Sequence, residues 1–216
     1  MTGMESSKLA TALIFAWQIA CGSLSFAENK ALASFPEGRE RELVTAIVSG
    51  EKDKFKGLLE GGSNPNFQSS LGVSPVYYAA CDQDSWYLEK ILEFGGDPNL
   101  VNPQSKNTPI FESIKRFRVD NIKLLLKHGA KTEVRGWLGY TPLTSAASIN
   151  QYDQVLILLE AGADPEFPTE DGATLDYFMK NHRMDPQSKN YQDYLKVKNF
   201  LRQVRTSLSD YRLRRG

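Results

Sequence analysis

Gly139-Tyr140-Thr141-Pro142-Leu143, followed by Leu158-Leu159-Glu160-Ala161-Gly162-Ala163-Asp164-Pro165, decides the fold. Thr141-Pro142 opens a helix, because a proline at an early helical position gives up an N–H that would have no partner there. Ala146-Ala147 lets a second helix lie close against the first. Val155, Leu158 and Leu159 share one face of that second helix, and Gly162 ends it as a left-handed cap. A hairpin this short cannot bury its own apolar faces, so it must stack on copies of itself.

The copies are present. Ser74-Pro75, Thr108-Pro109 and Thr141-Pro142 lie 34 and 33 residues apart, and Gly62, Gly95, Gly129 and Gly162 follow at 33, 34 and 33. Leu58-Leu59, Ile91-Leu92, Leu125-Leu126 and Leu158-Leu159 keep the same register. Two helices and a turn per period of about 33 residues form one stacking unit. On these residues the sequence resembles the ankyrin-repeat family, with its G-x-T-P-L opening and L-L-x-x-G-A-D-x-N close. The pattern departs from the family at Lys106, which stands for the turn glycine, and at Tyr77, Phe111 and Thr144, which stand for its histidine. The resemblance implies an all-α ankyrin-repeat solenoid of about five units including caps, its helix pairs joined by β-hairpin loops.

The units run over about 39–66, 69–99, 103–133, 136–166 and 169–206, with an extra residue near Leu100-Val101-Asn102. The first unit has no preceding hairpin, as befits a terminal cap with a polar outer face. The last is interrupted by the polar stretch 181–190, read as a surface loop, before a helix from Tyr191 to about Thr206. Tyr194, Val197, Phe200, Leu201 and Val204 recur in it at helical spacing. Residues 28–38 read as a linker and 207–216 as a flexible tail.

The N-terminus does not belong to the repeat. Lys8 precedes the apolar run Leu9–Ala20, and Ser25-Phe26-Ala27 supplies a small-x-small cleavage site. This is the layout of a secretory signal peptide over residues 1–27, with Met4 as a second candidate start. The run is too short to cross a bilayer, which takes about 20 residues. Ile19-Ala20-Cys21-Gly22 also matches part of a bacterial lipobox, so Cys21 is a candidate lipidation site. The two expectations are a soluble periplasmic protein or one lipid-anchored in the outer membrane. Cys81 is the only other cysteine, so no disulfide framework supports the fold.

The 216 residues carry 26 basic and 26 acidic side chains. That balance gives no reason to expect nucleic acid, whose binding draws on excess Lys and Arg. His128 and His182 lie in different units, and no metal-ligand spacing, G-x-S-x-G or phosphate loop occurs. No catalytic, metal-binding or cofactor site is expected, and no small-molecule substrate. Asp97 and Asp164 read as turn formers, whose short acidic side chains bond the local backbone.

What the resemblance implies is a protein partner, met by the hairpin tips and the exposed side of the first helices. Carried over residue by residue, that surface takes Leu71 and Val73, Asn107, the basic pair Lys115 and Arg116, the hairpin trio Trp137, Leu138 and Tyr140, and Ile149. Trp and Tyr are enriched among binding hot spots, which singles out the trio. Of Trp86 and Tyr87, one is expected to pack between units. The architecture is similar to that of periplasmic ankyrin-type immunity proteins that neutralise type VI secretion phospholipase effectors of the phospholipase D class. Alternatives are a periplasmic stress or assembly factor, such as a partner of an exported catalase, and a host-directed effector.

Overall fold

The computed structural model describes residues 31–181 and 184–213, with side chains described through Val204. The expected leader, including Cys21, and His182 lie outside the described residues. The described residues form two compact units, divided between Pro75 and Val76.

In the first unit α1 (Arg39–Val48) packs against α2 (Lys52–Glu60). Leu43, Val44 and Ile47 from α1 and Phe55 and Leu59 from α2 are buried together as one apolar seam. The stretch expected as a linker is packed at its end. Phe35 is buried against the Phe67 ring at 6.1 Å, and Ser34 Oγ donates to Ser69 Oγ at 2.7 Å. An aromatic side chain this apolar gains more from burial than the chain loses by being ordered.

The second unit holds α3 (Pro75–Cys81), α4 (Ser85–Glu93), α5 (Pro109–Lys115), α6 (Val119–Lys127), a 3-10 turn at Trp137–Gly139, α7 (Pro142–Ser148), α8 (Tyr152–Glu160), α9 (Leu175–Asn181) and α10 (Tyr191–Leu213). The short first helices α5, α7 and α9 pack in one rank, and the second helices α4, α6, α8 and α10 in another. Proline begins α3, α5 and α7 as its missing N–H predicts. Thr141 adds a capping box to α7: its Oγ1 accepts from Thr144 N–H (3.1 Å), and Thr144 Oγ1 accepts from Thr141 N–H (2.9 Å). The threonine that replaces the family histidine thus serves the helix start.

Gly62, Gly95, Gly129 and Gly162 all hold positive φ, between 84° and 92°, so the spaced glycines are the left-handed caps the period demands. Asp97 and Asp164 close their turns by accepting from the N–H of Asn99 (2.8 Å) and Glu166 (2.9 Å). Of the aromatic pair, Tyr87 is buried and Trp86 half-buried, edge-on to it at 5.3 Å.

Three details differ from expectation. No strand occurs among the described residues; the loops between repeats are closed by single backbone bonds, such as Gly136 N–H to Tyr140 O (2.8 Å) and Asn102 N–H to Asn107 O (2.8 Å), with side chains such as Ser69, Asn102 and Thr169 adding bonds to the loop backbone. The first bond spans 136–140 and the second 102–107, so the extra residue sits within 103–106 rather than at 100–102. The final helix continues through Leu213 where the tail was expected from 207, because nothing in Ser207–Leu213 breaks helical geometry; 214–216 lie outside the described residues.

Candidate protein-binding surface

The loop between α6 and α7 carries the most exposed apolar pair in its unit's tips. Trp137 is 54% and Leu138 49% exposed. Their backbone is fixed from three sides. Gly136 N–H donates to Tyr140 O, closing the loop. Trp137 N–H donates to Asn107 Oδ1 at 2.9 Å, a bond from the preceding repeat. Glu170 N–H donates to Gly139 O at 3.1 Å, a bond from the following one. No side chain fits at either glycine: a methyl on Gly136 would overlap Asn107 Oδ1 and meet the Phe111 ring at 2.9 Å, and one on Gly139 would overlap the Glu170 side chain.

Asn107 is therefore not a contact residue at a tip, as the sequence suggested. It is 4% exposed, and its Nδ2 donates to Glu112 Oε1 at 3.0 Å. Glu112 is itself buried and ion-paired with Lys115 Nζ. Burial pushes the Tyr77 phenol well above its ordinary pKa, and the charge of the neighbouring Glu112 adds to the shift. Lys115 is thus committed to a carboxylate of its own chain. Tyr140 is half-buried with its ring edge-on to Phe178 at 5.6 Å, and burial, then the charge of Asp171, raises its pKa. Arg116 and Ile149 are half-buried beside exposed Phe117 and half-buried Ser148.

In the first unit Leu71 is 41% exposed at the 69–73 loop, while Val73 is half-buried and its carbonyl accepts Ser69 N–H. The sequence reading missed Tyr177, the most exposed large hydrophobic side chain among the described residues of its unit at 56%. It leans edge-on against Phe178 at 5.5 Å and lies near Tyr140. Tyr140, Phe178 and Tyr177 form a ring-on-ring patch running from the loop onto α9. The irregular last unit hid it, because its helix start lacks the proline that sets the register elsewhere.

Among the described residues no group of three or more His, Cys, Asp or Glu side chains could hold a metal ion, and no helix is long and apolar enough to cross a membrane. The site is a surface of aromatic and aliphatic side chains on a rigid backbone. Such a surface defines a helical-repeat protein-interaction module.

Residues 76–169 match the family model for ankyrin repeats in three copies, and the fold is that of ankyrin repeats. A fowlpox virus (strain NVSL) chain named as an ankyrin repeat protein, FPV024, is 28% identical over 160 residues, covering 70% of this chain and 27% of its own length. Protein PhlB of Serratia liquefaciens is 35% identical over 109 residues, 50% of this chain and 48% of PhlB. Cyclin-dependent kinase 4 inhibitor B of Homo sapiens is 26% identical over 137 residues, 63% of this chain and 98% of the inhibitor. This chain spans about a quarter of the viral relative and about half of the Serratia one.

Proposed function

We propose that this chain is a non-enzymatic immunity protein of the bacterial periplasm that binds and neutralises a type VI secretion phospholipase of the phospholipase D class. The observation that carries the binding role is the exposed Trp137-Leu138 pair on a backbone fixed from both neighbouring repeats. A preformed apolar tip loses little entropy when a partner covers it, as tight capture of a toxin requires. Tyr177 and Tyr140 extend the contact area with side chains suited to hot spots. The leader pattern of residues 1–27 supports export, soluble or lipid-anchored through Cys21. That ankyrin-repeat relatives include proteins named as kinase inhibitors supports a role in blocking an enzyme.

The test is capture of partners from a lysate containing the products of the neighbouring genes. A stoichiometric complex with a phospholipase, lost in Trp137→Ala/Leu138→Ala and weakened in Tyr177→Ala, is the expected result. A complex untouched by these variants moves the interface elsewhere. Recovery of an exported catalase or a folding factor in place of a phospholipase overturns the immunity reading.

A further inference from the structure

We infer that Glu112 and Asn107 are positioning residues for the Trp137 tip, and that this buried pair sets how well the tip holds its partner. The inference rests on the tip being the binding surface. Asn107 uses both ends of its amide: Nδ2 donates to Glu112 Oε1 at 3.0 Å and Oδ1 accepts the Trp137 N–H at 2.9 Å. The amide cannot flip, since the carboxylate would then face an oxygen and the Trp137 N–H a nitrogen. Glu112 is held in turn by Lys115, with the Tyr77 phenol as an electrostatic neighbour. A carboxylate 1% exposed needs all such partners. The loop glycine Gly136 lies against Asn107 and Phe111 with no room for a side chain, so the amide and the ring together form the seat on which the tip rests. The relay runs from Glu112 through Asn107 to the Trp137 N–H, from one repeat into the next. Neither side chain follows from the repeat pattern.

The experiment is residue-resolved amide hydrogen exchange on the purified protein and on Asn107→Ala, Glu112→Ala and Glu112→Gln, followed by the same phospholipase capture. Asn107→Ala and Glu112→Ala should speed exchange at the Trp137 amide by about tenfold or more, with the helical amides of Ile122 and Leu125 unchanged. Glu112→Gln keeps an oxygen for Asn107 Nδ2 and should exchange like the parent, which a role through charge alone would not allow. Capture of the phospholipase should fall in the two alanine variants and persist in Glu112→Gln. If Asn107→Ala does not fold, the Glu112 pair decides alone. Wild-type exchange at Trp137 in the alanine variants, or a parallel rise at Ile122 and Leu125, overturns the relay. Faster exchange with undiminished capture overturns its part in binding. Failure of the parent protein to capture a phospholipase counts against the proposed function, and the exchange rates still decide the relay.

Discussion

Asn121 and Gln154 hold the same place in the second helices of successive repeats, 33 residues apart, and only the first has its amide nitrogen hydrogen-bonded. Asn121 Nδ2 donates to backbone carbonyls of the preceding repeat, those of Ala80 (3.2 Å) and Asp82 (2.9 Å), with Ala79 at 3.4 Å. Gln154 is fully buried, and neither end of its side-chain amide has a hydrogen-bond partner among the described residues.

The two should therefore respond to apolar substitution with opposite signs. Asn121→Leu strands carbonyls between two repeats and should lower stability by about 1–3 kcal/mol. Gln154→Met removes an unsatisfied amide at nearly constant volume and should raise it by about 1 kcal/mol. Urea unfolding midpoints check both; destabilisation by Gln154→Met would mean that ordered water serves the amide.

Tyr152 carries an alkaline signature. Burial, with a smaller contribution from Tyr194, raises its phenol to about 12, whereas in the unfolded chain it ionises near 10. Between those values the unfolded state has lost a proton that the folded state keeps, so stability falls as pH rises through that window and is intact below it. Tyr77 and Tyr140 act in the same direction. Tyr152→Phe keeps the edge-on contact with Tyr194 (5.1 Å) and loses a hydroxyl that has no hydrogen-bond partner among the described residues. Stability should thus fall less between pH 9 and about 11.5 in the variant than in the parent, measured by denaturant midpoint.

Two loop glycines should be intolerant for different reasons. Gly136→Ala forces a methyl into Asn107 and the Phe111 ring, and Gly139→Ala meets Glu170 while holding φ at +71°. Each should cost about 2 kcal/mol or more by overpacking or backbone strain. Gly162→Ala has open space around the new methyl but a φ of +92°, so its cost is conformational only and should be smaller, about 1 kcal/mol. Thermal midpoints of the three variants rank the effects.

Trp137→Ala and Leu138→Ala remove exposed side chains and should change stability by no more than about 0.5 kcal/mol. Thr141→Ala breaks a buried capping box and should cost about 1 kcal/mol. Thermal melts that showed Trp137→Ala as damaging as Thr141→Ala would mean that the tip is part of the fold.

The repeat, its helix starts and its left-handed glycine caps were all legible, because each is a local rule renewed every 33 or 34 residues. So were the turn roles of Asp97 and Asp164. What periodicity does not carry is pairing between unlike side chains in neighbouring repeats. Asn107 reads as a loop-tip polar residue until Glu112 and the Trp137 N–H close on it from either side. Lys115 reads as part of a basic run until Glu112 turns it inward. Tyr177 escaped because the last unit abandons the register. Phe117 and Asn150 fall one period apart in the turn that Gly50 occupies in the first unit; without a glycine there, the left-handed turn left no mark in the sequence.

Left-handed backbone at residues other than glycine has a wider consequence. Lys106, Phe117, Leu138 and Asn150 hold φ between 58° and 61°, and all four lie in the two adjacent repeats spanning 103–166. A side chain in left-handed backbone costs on the order of 1 kcal/mol relative to glycine. In a repeat array stability is close to a sum over units and their interfaces. These two repeats therefore carry a handicap that single glycine substitutions would lift. Natural sequences keep such reserves when selection has worked on something other than thermal endurance. Here one of the four, Leu138, is also among the most exposed side chains of the interaction tip.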